Sequence, residues 1–176
     1  MRGWSPHSSP AYSLLDRRAS LLERSLLSDD LLEMKLHITP DVVYGRKFGM
    51  ALTFDVYQPR ERSGAAVIFV NSAGWNSGLP NFFEQTAEGP RLLTDEELTR
   101  LDPNLRQVSF RPLLAKGFTV FVVRHGSSPK FEMPEIVADL RRAVRFIRYH
   151  ADSYGFDAER LGLWGGSAGG HLSLLL

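Results

Sequence analysis

Three short apolar runs limit what this chain can fold into. Ala65-Ala66-Val67-Ile68-Phe69-Val70, Phe118-Thr119-Val120-Phe121-Val122-Val123 and Leu161-Gly162-Leu163-Trp164 are hydrophobic without alternation. A strand with one face in water alternates apolar and polar residues, whereas a strand covered on both faces is apolar throughout. The segments between the runs carry helical patterns. Val108 to Lys116 ends at Gly117 in a C-cap position. Pro134 to about Tyr154 puts Ile136, Leu140, Ala143, Val144 and Ile147 on one face, with Arg141, Arg142, Arg145 and Arg148 largely on the other. Strands alternating with helices build a parallel sheet through right-handed crossovers. The fold class is therefore read as α/β, a mostly parallel sheet with helices on both faces.

Ahead of the first buried run, Leu36-His37-Ile38-Thr39, Val42-Val43-Tyr44 and Leu52-Thr53-Phe54-Asp55-Val56-Tyr57 are short, β-branched and aromatic, with turn residues at Pro40, Gly45, Gly49 and Pro59. Two or three antiparallel strands are expected there. Residues 1 to about 12, rich in Ser and Pro, read as a disordered lead-in, and the leucines between Ser13 and Met34 fit one or two amphipathic helices. Those helices suit a cover for the sheet edge, a leader peptide or an oligomer contact equally well. The segment Asn76 to Gln107 is long for a connection and contains Thr94-Asp95-Glu96-Glu97, which has the capping-box form and predicts a helix start. A lid or binding loop and an elaborated surface crossing both remain open.

Composition removes several function classes. The 43% hydrophobic and 23% charged content of 176 residues supports one substantial core and no disordered chain. Lys and Arg number 21 against 20 Asp and Glu, a net charge of +1, which gives no electrostatic case for nucleic acid or an anionic membrane. The four arginines after Pro134 then read as the solvated face of a helix. With no cysteine there is no disulfide, no thiolate nucleophile and no Cys-ligated zinc, and no His and carboxylate grouping has metal-ligand spacing. No apolar run has the form of a signal peptide or the length to span a bilayer. A soluble protein, cytoplasmic by default, without cofactor, is the expectation; its oligomeric state is not legible.

The chemistry is concentrated near the end. Gly165-Gly166-Ser167-Ala168-Gly169 fits G-x-S-x-G directly after the third apolar run and before His171-Leu172-Ser173-Leu174-Leu175-Leu176. Strand, tight turn, helix is the order that holds a serine oxygen exposed above a sheet, and small neighbours let the backbone bend without clashing. Ser167 is thus the candidate nucleophile.

Several blocks together carry a family resemblance. They are Leu52 to Pro59, the buried run ending in a small-residue turn and Trp75, Pro134 to Val144, and Asp157 to His171. In order and spacing they resemble the N-terminal half of esterase- and lipase-like α/β-hydrolases, over roughly residues 50–176, with the acetyl-ester and feruloyl-esterase-like carboxylesterases nearest and prolyl-oligopeptidase-like hydrolases as neighbours. The resemblance implies the α/β-hydrolase fold, truncated after the nucleophile turn, with residues 1–35 as a disordered or helical leader and 36–176 as the N-terminal part of the domain. It implies a small-molecule ester as substrate, Ser167 as nucleophile and the backbone N–H of Ala168 as one oxyanion donor. Further donors in the family come from a His-Gly-Gly-Gly-Trp type turn. Here that turn aligns with Asn71-Ser72-Ala73-Gly74-Trp75, which places Ala73 and Gly74 in the oxyanion hole. Trp75 and, at the end of the second buried run, His125 are the candidate substrate contacts.

A serine hydroxyl needs a base, and the base an orienting carboxylate. In this family they follow the serine in the order acid, then histidine. The nine residues after Ser167 contain no acid, and His171, four residues along the departing helix, is expected to pack or hydrogen-bond beneath the site. The sequence therefore reads as a fragment of a domain of about 250 residues or more. The parent is read as a serine carboxylesterase working through an acyl-enzyme, and these residues alone as nearly inactive. A prolyl-oligopeptidase-like peptidase and a non-catalytic binding module of the same fold are the alternatives.

Overall fold

The computed structural model describes residues 36–78, 80–103, 105 and 108–176, all within the unit Lys35–Leu176. The leucine-rich helices expected before Met34 lie outside the described residues. β1 (Leu36–Lys47) and β2 (Met50–Pro59) form an antiparallel hairpin. Its two-residue loop, Phe48-Gly49, has φ of +47° and +79°, the left-handed pair that matches strand twist in a type I′ turn. Pro40 and Gly45, expected as turns, lie inside β1. Register shifts between Thr39 and Val42 and between Val43 and Gly45 absorb them, which an edge strand tolerates because its outer side needs no ladder bond.

β3 (Ala66–Val70) follows a polar loop. Next come a small separate hairpin, β4 (Phe83–Thr86) and β5 (Gly89–Leu92), and the short helices α1 (Asp95–Leu101) and α2 (Arg111–Ala115). β6 (Thr119–Val123), α3 (Met133–Tyr149), α4 (Ala151–Tyr154), β7 (Leu161–Trp164) and α5 (Ala168–Leu174) complete the order. The main sheet runs β1-β2-β6-β3-β7, with β3 parallel to both neighbours and β2 antiparallel to β6.

The sheet's two faces separate along each strand. Phe54, Val56, Ile68, Val70, Phe121 and Val123 join one core with Ile136, Leu140, Ala143 and Ile147 of α3 and Leu172 of α5. Alternate residues serve the other face, where Tyr57 and Phe69 meet Phe110, and Phe69 also packs on Phe82 and Trp164. Each fully buried aromatic removes enough apolar surface from water to contribute about 2–3 kcal/mol. The spacing predicted for α3 holds. Ile136, Leu140, Ala143 and Ile147 are buried, Val144 is half-buried and the four arginines are exposed, and Glu132 and Glu135 cap its start reciprocally with Pro134 in the first turn. The helix ends earlier than expected, at Tyr149, because the backbone turns at His150 before the single turn of α4, which Gly155 closes at φ +67°. The helix expected over Val108 to Lys116 is confined to α2.

Thr94 caps α1 as its sequence predicts: Glu97 N–H donates to Thr94 Oγ1 at 3.2 Å and Thr94 N–H donates to Glu97 Oε2 at 2.7 Å. A further expectation fails. β7, read as a strand covered on both faces, stands at the sheet's edge and leaves Leu163 38% exposed. Its apolar sequence records what the strand can be buried against, and among the described residues nothing pairs with its outer side. No described helix is long and apolar enough to cross a membrane.

Candidate active site

Parallel strands deliver their following loops to one edge of a sheet. Here the loops after β3 and β6 are bonded to each other there, and the first of them reaches the helix that follows β7. Ser77 N–H donates to Ser127 Oγ at 3.0 Å, Ser128 N–H donates to the Trp75 carbonyl at 3.1 Å, and the Trp75 ring reaches α5.

Ser167 is the last of the three residues between β7 and α5. Its backbone sits at φ +49° and ψ −120°, a conformation that costs an L-residue about 1–3 kcal/mol and persists only where its surroundings impose it. What imposes it is close backbone packing. A Cβ on Gly169 would stand 2.4 Å from the Val70 carbonyl oxygen, and one on Gly165 would stand 2.4 Å from the Gly169 carbonyl carbon. The start of α5 is thereby pressed onto the end of β3, and only hydrogen fits at these positions. Ser167 is exposed and its side chain does not cap its own helix, so the hydroxyl faces solvent. Among the described residues no histidine or carboxylate is hydrogen-bonded to it.

The turn after β3 supplies the facing wall. Ala73 and Asn76 exchange backbone hydrogen bonds of 2.9 Å in both directions, and the two residues between them, Gly74 and Trp75, have φ of +54° and +61°. This is a closed two-residue turn. Its closure separates the two expected donors. The Ala73 N–H is bound to Asn76, whereas the Gly74 N–H has no protein acceptor among the described residues. Trp75 is 41% exposed at the tip, and its indole N–H donates to His171 Nδ1 at 3.4 Å with the rings edge to face at 87°. His171, expected to pack or hydrogen-bond beneath the site, does accept this hydrogen bond, but from an exposed position on α5 that faces the turn.

His125 sits at the carboxyl end of β6, as predicted, and is only 5% exposed. Its Nδ1 is 2.7 Å from the Gly126 carbonyl oxygen, while Nε2 is buried without a partner. Burial holds its pKa below the ordinary 6.5 despite that backbone bond and the nearby Asp139 carboxylate. It borders a cleft of about 370 Å³ that Ala51, Thr53, Ser77, Ser127 and Phe131 also line. Beside it Arg124 is held bidentate by buried Asp55, Nη1 to Oδ1 at 3.0 Å and Nη2 to Oδ2 at 2.6 Å, and also reaches Asn81.

Sequence reasoning passed over Ser77. Its hydroxyl donates to the Asn71 carbonyl at 2.8 Å and accepts from the His125 N–H at 2.9 Å, so one side chain joins the ends of β3 and β6 behind the turn. A serine in a polar stretch carries no signal of that. The Asn71 carboxamide and the Ser72 hydroxyl are buried beside it without partners.

A protein-family model, BD-FAE, matches residues 99–176. The solved structure described as a truncated carbohydrate esterase from gut microbiota is 26% identical, with a TM-score of 0.54, over 78% of this chain and 41% of that one. The sheet is that of an esterase-like α/β-hydrolase. A thermophilic esterase of Thermogutta terrifontis, Est2, is 25% identical with a TM-score of 0.51, and the alignment covers 76% of this chain and 41% of that one. Among curated proteins, the probable carboxylic ester hydrolase LipM of Mycobacterium tuberculosis is 36% identical over 59 residues, 34% of this chain and 14% of LipM. Esterase LipQ of the same organism is 31% identical over 68 residues, 36% of this chain and 16% of LipQ. The α/β-hydrolase chain thus spans well under half the length of these esterases. The resemblance read from residue 50 onward extends upstream of the family-model match.

Proposed function

We propose that this chain carries the nucleophile half of a serine carboxylesterase acting on small acyl esters. The observation that supports the reading most is Ser167 itself, an exposed hydroxyl on a strained positive-φ turn between a strand and a helix. In this reading Ser167 Oγ attacks the ester carbonyl carbon and passes its proton to a histidine base. The carbonyl oxygen becomes an oxyanion facing the N–H groups of Ala168 and Gly74, and Ala73 joins them only by releasing Asn76. Collapse expels the alcohol, protonated by the same histidine, and leaves the acyl group on Ser167. Water then attacks the acyl-enzyme, releases the carboxylic acid and restores the hydroxyl. The histidine and its carboxylate come, in this reading, from residues outside the described ones. Trp75 contacts the substrate at the mouth, and His125 forms the inner wall of the neighbouring cleft.

The buried, partnerless Asn71 and Ser72 side chains in the oxyanion turn favour the second reading, a non-catalytic module of the same fold. A fluorophosphonate probe separates the two in the full-length gene product. An esterase gains the phosphonyl mass on the peptide containing Ser167, and Ser167→Ala abolishes the gain. A binding module stays unlabelled.

A further inference from the structure

Trp75 is a large L-residue held at φ +61° on the tip of a turn, with 41% of its surface exposed. Such a conformation needs external support, and the turn's closing bonds between Ala73 and Asn76 hold its ends without reaching the ring. The support for the ring comes from α5. The Trp75 indole N–H points at His171 Nδ1, 3.4 Å away, and the imidazole meets the indole edge to face at a centroid distance of 6.1 Å. Indole nitrogen only donates, so His171 Nδ1 is the acceptor in this contact. His171 is four residues after Ser167, and its own N–H donates to the Ser167 carbonyl at 3.0 Å.

We propose that His171 is a positioning residue that fixes the Gly74-Trp75 turn to the nucleophile helix, setting the spacing between the Gly74 and Ala168 amides. The inference rests on the esterase reading for its consequence but not for its contact. Two oxyanion donors from different loops act together only if their separation is fixed before the substrate arrives. Among the described residues, the other bonds to the turn on its outer side come from the loop after β6, through Ser127 and Ser128. The link from Trp75 to His171 is the side-chain contact that ties it to the element carrying Ser167.

The test begins with nuclear magnetic resonance on the 15N-labelled chain, with the Trp75 indole signal assigned by its loss in Trp75→Phe and the Trp164 indole as internal reference. His171→Ala and His171→Phe, the second keeping a ring but no acceptor, should shift the Trp75 indole and the Gly74 amide. His171→Asn should restore both, because its Oδ1 lies the same number of bonds from Cα as the lost Nδ1. Amides of Ile68 and Val122 report whether each variant is folded; should His171→Ala lose them, the Phe and Asn variants carry the comparison. A Trp75 indole that keeps its wild-type position in His171→Phe overturns the contact. In the full-length product, kcat for ester hydrolysis should fall about tenfold in His171→Phe with KM within twofold, and recover in His171→Asn. An unchanged kcat in an active enzyme overturns the positioning role. Loss of all hydrolysis by wild type, with the resonance shifts intact, counts against the esterase reading and leaves the contact standing.

Discussion

Two residues at the edge of the sheet respond to change in opposite ways. Gly169 has no room: its added Cβ would meet a backbone oxygen at 2.4 Å, which cannot rotate aside. Gly169→Ala is expected to destabilise the fold by about 1–3 kcal/mol, in the range of overpacked sites, read as a lower urea midpoint at unchanged slope. His125 is held neutral by burial. Its folded pKa lies below the ordinary 6.5 that applies in the unfolded chain, so above that value both states are neutral and it adds no pH dependence. As pH falls below about 6.5 the unfolded state takes up the proton first, and stability drops until the folded pKa is passed. The melting temperature should fall between pH 7 and pH 5, and His125→Gln should flatten that slope. A slope identical in the variant would show that the buried imidazole is not its source. At this scale the sequence was informative about Ser167, whose small neighbours state the geometry, and about His125, whose place at a strand end follows from the apolar run before it. It was silent on the amide of Ala73, because which N–H a turn consumes depends on its closure and not on its side chains.

The elements around the site are joined by few bonds, and the Ser77 hydroxyl makes two of them. Ser77→Ala removes its bonds to the Asn71 carbonyl and the His125 N–H and leaves the latter buried and unpaired. The expected cost is about 1–3 kcal/mol, with faster amide hydrogen exchange at His125 as the local signature. Protection at His125 equal to wild type would contradict the role given to this hydroxyl. Elements that answer to side-chain pattern were legible in the sequence: β3, β6, the inward face of α3 and the cap of α1. Those that answer to context were not. Pro40 and Gly45 look like turns but lie in bulges of an edge strand, where the backbone bends without losing its partner. The β4–β5 hairpin has neither alternation nor an Asn-Gly loop to announce it, since Ala87-Glu88 connects its strands. β7 reads as central from its own residues, although its exposure is decided by what stands beside it.

At the scale of the molecule, a β1-β2-β6-β3-β7 sheet with one core on each face brings three loops to a single edge. The likeness to esterases covers that arrangement over about three quarters of this chain and less than half of theirs. The turns proposed as nucleophile and oxyanion turn, at Ser167 and at Gly74-Trp75, lie within the described residues, and the proton-handling groups are equally part of the proposal. The central claim is that Ser167 forms a covalent acyl intermediate. Stopped-flow hydrolysis of p-nitrophenyl acetate by the full-length gene product tests it most directly. The account predicts a burst of p-nitrophenol equal to the enzyme concentration, followed by slower turnover, with both abolished in Ser167→Ala. Turnover that survives Ser167→Ala at the wild-type rate would contradict it.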